Sequence, residues 1–361
     1  MKIVFLNDVA YEYAIGSPKA VGGTERDIWI LSRALAAAGW SVVVGVCGAI
    51  AIGQRRIIEG VEYVGINPGN PVVAWYRFLA AERPDWLFWE GASHWWGILV
   101  ELAKRHGART VFHTAFDTDV SPRQALVRRS RWWPLYAWGL KRTDRIFVQH
   151  MGQFDMLPSP WRAKSEVLPK VCQLPPVMNT HSGRSPYIAW VAMLRTPKRP
   201  DLLVEIARKS PNLKFVVCGG LTAHRSQGDS TAQAAESLKQ LPNVEYRGRV
   251  DPEEAAGVIE NAALLLCTSD QEGFPNTFVQ AWSHGTPVVT LRVDPDNIIK
   301  QRNVGIVTGT VDATVERLQR LMSSTQERQA MAIRAREYIL EQHSAEVVVK
   351  KFDAATRHWI R

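Results

Sequence analysis

Cysteine, long apolar runs and clusters of metal ligands are scarce in this chain of 361 residues. No apolar run reaches the roughly 18–20 residues that a membrane span needs. The start, MKIVFLND, is too short for a signal peptide and predicts a first buried strand instead. No metal-binding cluster is visible, so neither a metal nor a cofactor is expected. The cysteines are too scattered for a zinc pair, and we interpret them as buried thiols in a reducing compartment: Cys47, Cys172, Cys218 and Cys267.

The positive charge is concentrated in the first half of the chain. Of a net charge of +9, residues 1–170 supply the larger part, with 21 Lys and Arg against 15 Asp and Glu. Eleven of the fourteen tryptophans also precede residue 162. Basic charge with interfacial aromatics indicates an anionic partner, such as a phospholipid, a polyphosphate carrier or a nucleic acid. No RNA-binding signature is present, so we do not expect a nucleic acid.

Strand-like and helix-like segments alternate along both halves of the chain. This alternation predicts an α/β protein with parallel sheets and helices on both faces. We place a first domain at residues 1–170 and a Pro-containing linker at 171–186. A second domain follows at 187–340, and an amphipathic C-terminal helix at 341–361.

The first motif is Gly22-Gly23-Thr24-Glu25, which opens a helix after a strand and a loop. Two glycines let backbone N–H groups approach an anion at the positive end of a helix. A tight turn into a helix capped by Thr24 is the alternative. The third glycine of a dinucleotide fingerprint is missing.

The second motif is TSDQEGFPNTFVQAWSHGTPVV, residues 268–289. A strand ends in polar residues, the carboxylate of Glu272 follows, and a helix begins near Asn276 and Thr277. The unpaired amides of that helix start can hold a diphosphate, with Glu272 and Gln280 on either side to hold hydroxyl groups. A capped strand–loop–helix corner is the structural alternative.

These residues resemble the retaining glycosyltransferases of family four, which have the GT-B fold. EGFPN and the later HGTPVV stand intact, but Gln280 replaces the second glutamate of the family pattern. The resemblance implies two Rossmann-like domains that face each other across a cleft, with the C-terminal helix returning to the first domain. The first domain would bind the acceptor and the second the nucleotide sugar.

The resemblance also implies roles for residues at the sugar-donor site. Glu272 would hold the sugar hydroxyls and Gln280 the ribose, although an amide loses the charge-assisted hydrogen bond of a carboxylate. The remaining predicted contacts to the sugar donor are Gly22, Gly23, Arg195, Val250, Gly273, Phe274, Pro275, Asn276 and Thr277.

A basic loop, MLRTPKRPDLL at residues 193–203, follows the first strand of the second domain. Lys198 matches the lysine that neutralises the diphosphate in the family. Met193 stands at the usual arginine and Arg199 at the usual glycine, and Arg195 is near enough to substitute. Two positive groups suit a departing nucleoside diphosphate, whose charge grows at the transition state. A solvated basic loop before a helix is the alternative.

Candidate acceptor and catalytic residues lie in the first half. The family places a histidine at the position of His113, in VFHT, between the donor sugar and the acceptor; a histidine hydrogen-bonded at a strand end is the alternative. Asp117 and Asp119 follow and could hold acceptor hydroxyls, or belong to a solvated loop. His94 is a further candidate for acceptor binding.

The segment RRSRWWPLYAWGLKR, residues 128–142, has five basic residues, four aromatic residues and no acidic one. Interfacial helices combine such residues, so the segment indicates an anionic membrane surface. The alternative is a contact between helices. Pro134 argues against one uninterrupted helix.

The whole pattern predicts an enzyme that moves a hexosyl group from a nucleoside-diphosphate sugar to a glycan or lipid-linked hydroxyl, with the retention that the family implies. We expect it in the cytoplasm, peripheral to the inner face of the membrane, in polysaccharide or glycolipid biosynthesis. The alternatives are an epimerase or hydrolase of the same fold, and a non-catalytic protein that binds nucleotides or nucleic acid.

Overall fold

The computed structural model describes residues 1–20, 22–175, 185–221 and 229–357, and it divides into two compact units. Unit 1 is Met1–Val171 with Ala345–Arg361, and unit 2 is Cys172–Ser344. Of the predicted linker, residues 176–184 lie outside the described part. Ser185 and Pro186 already belong to a strand of unit 2.

Unit 1 is built on a sheet of eight strands in the order β3-β4-β2-β1-β5-β6-β7-β8. Neighbouring strands are parallel except β3 and β4, which form an antiparallel pair at one edge. The strands are β1 (Lys2–Leu6), β2 (Ser41–Cys47), β3 (Arg55–Ile58), β4 (Val61–Ile66), β5 (Trp86–Glu90), β6 (Arg109–His113), β7 (Arg145–Val148) and β8 (Ser165–Val167).

Helices cover both faces of this sheet, and each face has its own apolar core. The α-helices between the strands are α1 (Asp8–Ala14), α2 (Gly23–Ala37), α3 (Pro71–Glu82), α4 (Trp95–Arg105), α5 (Trp133–Arg142), α6 (Met151–Met156) and α7 (Ser159–Arg162). Short 3-10 turns occupy Asp117–Val120 and Leu126–Arg129.

Unit 2 is a fully parallel sheet of six strands in the order β11-β10-β9-β12-β13-β14. The strands are β9 (Ser185–Val191), β10 (Lys214–Cys218), β11 (Val244–Gly248), β12 (Ala262–Cys267), β13 (Val288–Thr290) and β14 (Gly305–Val307). The helices are α8 (Pro200–Lys209), α9 (Asp229–Gln240), α10 (Pro252–Asn261), α11 (Asn276–Ser283), α12 (Ile298–Arg302), α13 (Val311–Ser323) and α14 (Thr325–Gln342). This strand order is that of a doubly wound dinucleotide-type fold.

The last helix, α15 (Ala345–Arg357), belongs to unit 1 rather than to the neighbouring part of the sequence. Phe352 is fully buried, and its ring centroid lies 5.4 Å from that of Trp40. The Trp40 Nε1–H donates to Asp353 Oδ1 at 2.8 Å. Full burial of one such apolar side chain contributes about 1.5–3 kcal/mol, so α15 is firmly docked. The predicted return of the C-terminal helix to the first domain is confirmed.

The two parallel sheets confirm the predicted fold class, but several elements were missed. The stretch before Gly22 contains α1, where the sequence predicted a loop. Its N-cap is Asn7, whose side chain accepts a hydrogen bond from the Ala10 N–H. The edge hairpin β3–β4 and helix α9 were not predicted either. No helix of the described residues is long and apolar enough to cross a membrane.

Candidate active site

The sugar-donor residues predicted in the second half converge on one place in unit 2. Strands β9 and β12 are neighbours in the sheet, and the chain leaves them toward opposite sides. Ligands of open parallel sheets bind outside the carboxyl ends of the strands at such a switch point. The loop with Arg195 and Lys198 follows β9, and Glu272 follows β12, so the strand order itself brings them together.

Hydrogen bonds tie the two loops to each other. The Thr268 hydroxyl donates to the Lys198 carbonyl at 2.6 Å, and the Asp270 N–H donates to the Pro197 carbonyl at 2.9 Å. Thr268 in turn accepts from the buried Trp190 indole at 2.9 Å. The loop after β9 is therefore held in one conformation, which preorganises its charged side chains.

Lys198 and Glu272 form an ion pair across these loops, with Nζ donating to Oε1. Both side chains are mostly buried, so little water screens the pair. A diphosphate would compete for the ammonium, while sugar hydroxyls could donate to the carboxylate. The pair thus keeps two complementary groups in place for an anionic, hydroxyl-rich ligand.

Arg195 is the second cation of the site, and it holds an unused donor. Its Nε is buried and has no hydrogen-bond partner among the described residues. Buried donors are nearly always paired in folded proteins, so this atom calls for an acceptor that unit 2 does not supply. A phosphate oxygen beside Lys198 would meet that need.

Helix α11 begins at Asn276 with Pro275 as N-cap and no side-chain cap. The first turn of a helix has N–H groups without intrahelical partners and carries a partial positive charge. Gly273 and Phe274 are buried, and the Phe274 ring packs 5.0 Å from His343. The Phe274 side chain therefore lies in the core of unit 2 and not toward a ligand. Gln280 and Thr277 lie partly buried on the same helix.

The remaining predicted contacts to the sugar donor are more dispersed. Val250 follows β11 at the same edge of the sheet and packs against the core of unit 2. Gly22 and Gly23 lie in unit 1, where Gly22 is the N-cap of α2. Gly22 has φ +97°, a backbone conformation that residues with a side chain rarely adopt, so this position favours glycine. The helix has no side-chain cap, and Thr24 is not one.

His113 ends β6 and is buried in unit 1. Glu90 ends the neighbouring strand β5, directly opposite His113 in the parallel register. His113 Nδ1 lies 3.5 Å from Glu90 Oε2. Burial raises the pKa of Glu90, and this outweighs the opposing effect of His113.

Asp117 and Asp119 are close in sequence, but their side chains have different surroundings. Asp117 has a side chain that is 37% exposed, and its Oδ1 accepts from Gln153 Nε2 at 2.9 Å and lies 2.9 Å from His150 Nε2. Asp119 is 1% exposed, and its Oδ2 accepts from the backbone N–H groups that precede it, at 2.8 and 3.0 Å. Asp117 is placed to meet a ligand, whereas Asp119 shapes the loop.

His94 is partly buried at the N-cap of α4, its ring 4.8 Å from that of Trp95. In the described part of the chain, no hydrogen bond connects His94 to His113 or Asp117. Among the described residues, no group of three or more His, Cys, Asp or Glu could hold a metal ion.

The basic aromatic segment has two faces. Tyr136, Gly139 and Leu140 of α5 are buried, and Gly139 packs so closely on Gly97 of α4 that a Cβ would meet the Gly97 nitrogen at 2.8 Å. The other face exposes Trp132 and Trp138 and the basic residues Arg128, Arg129, Arg131, Lys141 and Arg142. The 3-10 turn ends at Arg129 and α5 starts at Trp133, with Pro134 in its first turn, which confirms that the segment is not one helix.

Comparison with known proteins tests the family that the motifs predict. Residues 178–338 match the family model described as glycosyl transferases group 1. Two D-inositol 3-phosphate glycosyltransferases are each 29% identical to this chain, that of Corynebacterium aurimucosum over 112 residues and that of Mycolicibacterium smegmatis over 107. Each alignment covers 29% of this chain, and 27% and 25% of the respective relative.

Residues 178–338 lie within unit 2, so the match to the glycosyl transferases group 1 concerns that unit. The alignments span only about a quarter of these curated relatives.

Solved structures match nearly the whole length of this chain and confirm the GT-B fold. Sucrose-phosphate synthase from Thermosynechococcus elongatus has a TM-score of 0.78 at 14% identity, covering 99% of this chain and 98% of that chain. HepE from Anabaena, in complex with UDP and glucose, has a TM-score of 0.75 at 13% identity, covering 99% and 100%. WaaG, a glycosyltransferase involved in lipopolysaccharide biosynthesis, has a TM-score of 0.67 at 16% identity, covering 99% and 100%.

Arg199, where the group 1 motif usually has glycine, adopts the left-handed conformation with φ +51°. Its guanidinium is paired with Asp201 at 2.7 Å and with Asp270 at 3.2 Å. These ion pairs hold a residue whose backbone conformation glycine adopts more readily. They also neutralise the Arg199 guanidinium. Arg195 is therefore the better substitute for the arginine that the family usually has where this chain has Met193.

Sequence reasoning missed polar residues that complete the two sites. Glu90 ends a buried strand in a carboxylate, which is the same signal that singled out His113 at the end of VFHT. Asp270 lies in the TSDQEGF motif, but no role was assigned to it from the sequence. A carboxylate directly after β12 faces the basic loop after β9, because these two strands are neighbours. His150 and Gln153 follow β7, and nothing local marks them as partners of Asp117.

Proposed function

We propose that this chain transfers a hexosyl group from a nucleoside-diphosphate sugar to a hydroxyl of a glycan or lipid-linked acceptor, with retention at the anomeric carbon. The observation that carries the proposal is the Lys198–Glu272 pair at the switch point of unit 2, beside the unused Nε donor of Arg195. It is supported by the similarity to D-inositol 3-phosphate glycosyltransferases and to HepE in complex with UDP and glucose.

In the proposed reaction the bond between the anomeric carbon and the diphosphate oxygen breaks, and negative charge grows on the leaving diphosphate. Lys198, Arg195 and the first amides of α11 would stabilise that charge more strongly in the transition state than in the ground state. Glu272 would hold the sugar hydroxyls, and Gln280 the ribose. The acceptor hydroxyl would attack from the same face and give its proton to a phosphate oxygen, which requires no protein nucleophile.

Unit 1 would supply the acceptor side of the reaction, through His113 and the exposed carboxylate of Asp117. An ionised carboxylate accepts hydrogen bonds from hydroxyl groups, which suits a carbohydrate acceptor. His150 and Gln153 fix one Asp117 oxygen and leave the other for a ligand.

The first test is thermal stabilisation of the purified protein by UDP, GDP, ADP and dTDP and by their glucose conjugates. A ligand present at 100 times its Kd stabilises the folded state by about 2.7 kcal/mol, which is on the order of 5–10 °C for a unit of this size. Stabilisation by one base with its sugar, followed by acceptor-dependent release of the diphosphate, supports transfer. Turnover that is independent of acceptor would favour a hydrolase or epimerase, and no stabilisation by any nucleotide would refute the proposal.

We further propose a cytoplasmic location, in which the exposed face of residues 128–142 binds the inner membrane and brings the site to a lipid-linked acceptor. Each basic residue near an anionic surface contributes about 1 kcal/mol, screened by salt. Changing Arg128, Arg129 and Arg131 to Gln should therefore weaken binding to phosphatidylglycerol vesicles by up to about 10²-fold at low salt. Intact protein that ignores such vesicles would indicate a soluble polysaccharide acceptor instead.

A matched control removes the same charge from an exposed part of unit 2. Changing Arg208, Lys214 and Lys239 to Gln should leave vesicle binding nearly unchanged. Equal loss in both triple variants would mean that only the net charge of the protein matters. Trp132 and Trp138 should shift to bluer fluorescence on binding, because their exposed rings would leave water.

A further inference from the structure

Four ionisable side chains from four elements meet in the interior of unit 1. Asp27 comes from α2, Glu90 from the end of β5, His113 from the end of β6, and Lys170 from the segment after β8. None is more than 8% exposed. Charged residues are almost never this buried unless they are paired, so each of the four side chains is expected to have a partner.

Asp27 and Lys170 form an ion pair, in which the Lys170 ammonium donates to Asp27 Oδ2. Glu90 and His113 differ. No described residue gives a hydrogen bond to either oxygen of Glu90 or to either ring nitrogen of His113. An ionised carboxylate without hydrogen-bond donors is costly to bury, so the arrangement favours an uncharged Glu90.

Burial of Glu90 leads to the same protonation state, against the net effect of the charged groups around it. Burial raises the pKa of Glu90; His113 and Lys170 lower it, while Asp27 raises it further, and burial is the largest effect. A neutral carboxyl group has an O–H to donate. The Nδ1 of His113, 3.5 Å from Oε2, carries a lone pair in one tautomer of the neutral ring.

We propose that Glu90 is a positioning residue for His113, in which its carboxyl O–H donates to Nδ1 and thereby keeps the ring proton on Nε2. The Nε2–H is then a fixed hydrogen-bond donor for an oxygen of the substrate. That contact rests on the proposed function, whereas the tautomer is a property of unit 1 alone.

The same pair predicts a pH effect with a defined sign. When Glu90 loses its proton at high pH, the carboxylate attracts the ring proton to Nδ1, and Nε2 changes from a donor to an acceptor. Transfer should therefore fall as pH rises through this titration. Asp27 and Lys170, the other charged groups that face Glu90, stay paired with each other.

The test reads the tautomer directly by ¹⁵N NMR of histidine-labelled full-length protein near neutral pH, with His113 assigned by its loss in His113→Asn. Wild type should show the proton on Nε2. Glu90→Gln should keep it there, because the amide N–H can donate to Nδ1, whereas Glu90→Leu should give a mixture of tautomers. A proton on Nδ1 in the wild type, or a spectrum unchanged in Glu90→Leu, overturns the proposal. The wild-type spectrum decides even if Glu90→Leu does not fold.

Glu82→Gln is the matched control. Glu82 is also a buried carboxylate of unit 1, but it is paired with Lys2 and Arg55. Its replacement should leave the His113 signals in place. The same change of tautomer in Glu82→Gln as in Glu90→Leu would mean that the signals report general loosening of unit 1, and would overturn the inference.

Kinetics supply the second readout. With the nucleotide sugar identified by thermal stabilisation, Glu90→Gln should retain most turnover and lose the fall at high pH. Glu90→Leu should lower kcat about tenfold or more with little change in the KM of the sugar donor, since one donor to the reacting group is misplaced. An equal loss of kcat in Glu90→Gln and Glu90→Leu would refute the role of a neutral carboxyl group at position 90. If no nucleotide sugar is turned over, the proposed function fails while the NMR result stands.

Discussion

Asp119→Asn should change how the stability of unit 1 depends on pH. The Asp119 carboxyl group is buried, and its Oδ2 accepts hydrogen bonds from the N–H groups of Ala115 and Phe116. Burial raises its pKa to about 6, although these hydrogen bonds oppose the shift. The folded state therefore binds the proton more tightly than the unfolded chain, where an aspartate titrates near 4.

The sign and size of the effect follow from this difference. Because the folded pKa is the higher one, Asp119 stabilises the fold fully below about pH 4, and that contribution is lost as pH rises through about 6. Two pH units correspond to about 3 kcal/mol. Asparagine keeps an oxygen for these two N–H groups and carries no charge at any pH, but its NH2 group cannot accept from the third backbone N–H beside the carboxylate, that of Ala92. The variant should gain up to about 3 kcal/mol relative to wild type between pH 4 and pH 7.5.

Denaturant unfolding followed by tryptophan fluorescence measures this difference, since eleven of the fourteen tryptophans precede residue 162 and report on unit 1. Curves for the two proteins that run parallel within about 0.5 kcal/mol from pH 4 to pH 7.5 would refute the reasoning. Asp117→Asn is the control, because its side chain is 37% exposed. It should change the pH dependence of stability only slightly, because the Asp117 charge is a minor cause of the raised pKa of Asp119. It should also raise the KM of the acceptor, which Asp119→Asn should not do.

Three further predictions concern unit 2. Glu272→Gln should cut turnover by about 10²-fold with the fold intact, because it removes a charged contact to the reacting sugar; near-normal turnover at saturating sugar donor would exclude that role. Lys198→Ala should mainly lower kcat, since the diphosphate charge rises as the bond breaks, and an effect on acceptor affinity alone would contradict it. Gln280→Glu should leave binding of the nucleotide unchanged or tighter in calorimetry; clearly weaker binding would mean that the pocket is built around an amide.

Local patterns predicted the elements that depend on local chemistry. The helix that ends before Gly39 and the one that ends before Gly285 stop where expected, and both glycines have positive φ. The alternation of strands and helices predicted the parallel sheets, because parallel neighbours need crossover connections. Helix α1 was missed since Asn7 lies inside what reads as the polar end of β1, although it caps the helix.

Contacts between distant residues could not be predicted in the same way. Glu90 and His113 meet because β5 and β6 are adjacent and in a register that places them opposite each other. The local sequence of β5 or β6 determines neither which strands are adjacent nor the register between them. The same holds for Asp117, which is held by Gln153 across two different strand ends. Family motifs supplied His113 by position, but its partner depends on the sheet.

The departures from the family motif in unit 2 make physical sense when they are taken together. Relative to the usual pattern, Met193 removes a positive charge, Arg199 adds one, and Gln280 removes a negative one. Arg199 does not replace the lost arginine, because Asp201 and Asp270 hold its guanidinium.

Within the basic loop, Lys198 and Arg195 are the cations proposed for a diphosphate. Lys198 has a carboxylate partner, Glu272, and among the described residues no ion pair is seen for Arg195. Because residue 280 is an amide, helix α11 carries no carboxylate that would repel an anion approaching these two side chains. The loss of an arginine and the loss of a glutamate therefore offset each other in the local field, while the proposed contact of Gln280 with the ribose would be a neutral hydrogen bond. Restoring the glutamate alone would strengthen that contact but add repulsion to a site with one fewer arginine. For this reason the calorimetric result for Gln280→Glu measures the balance of the two effects directly.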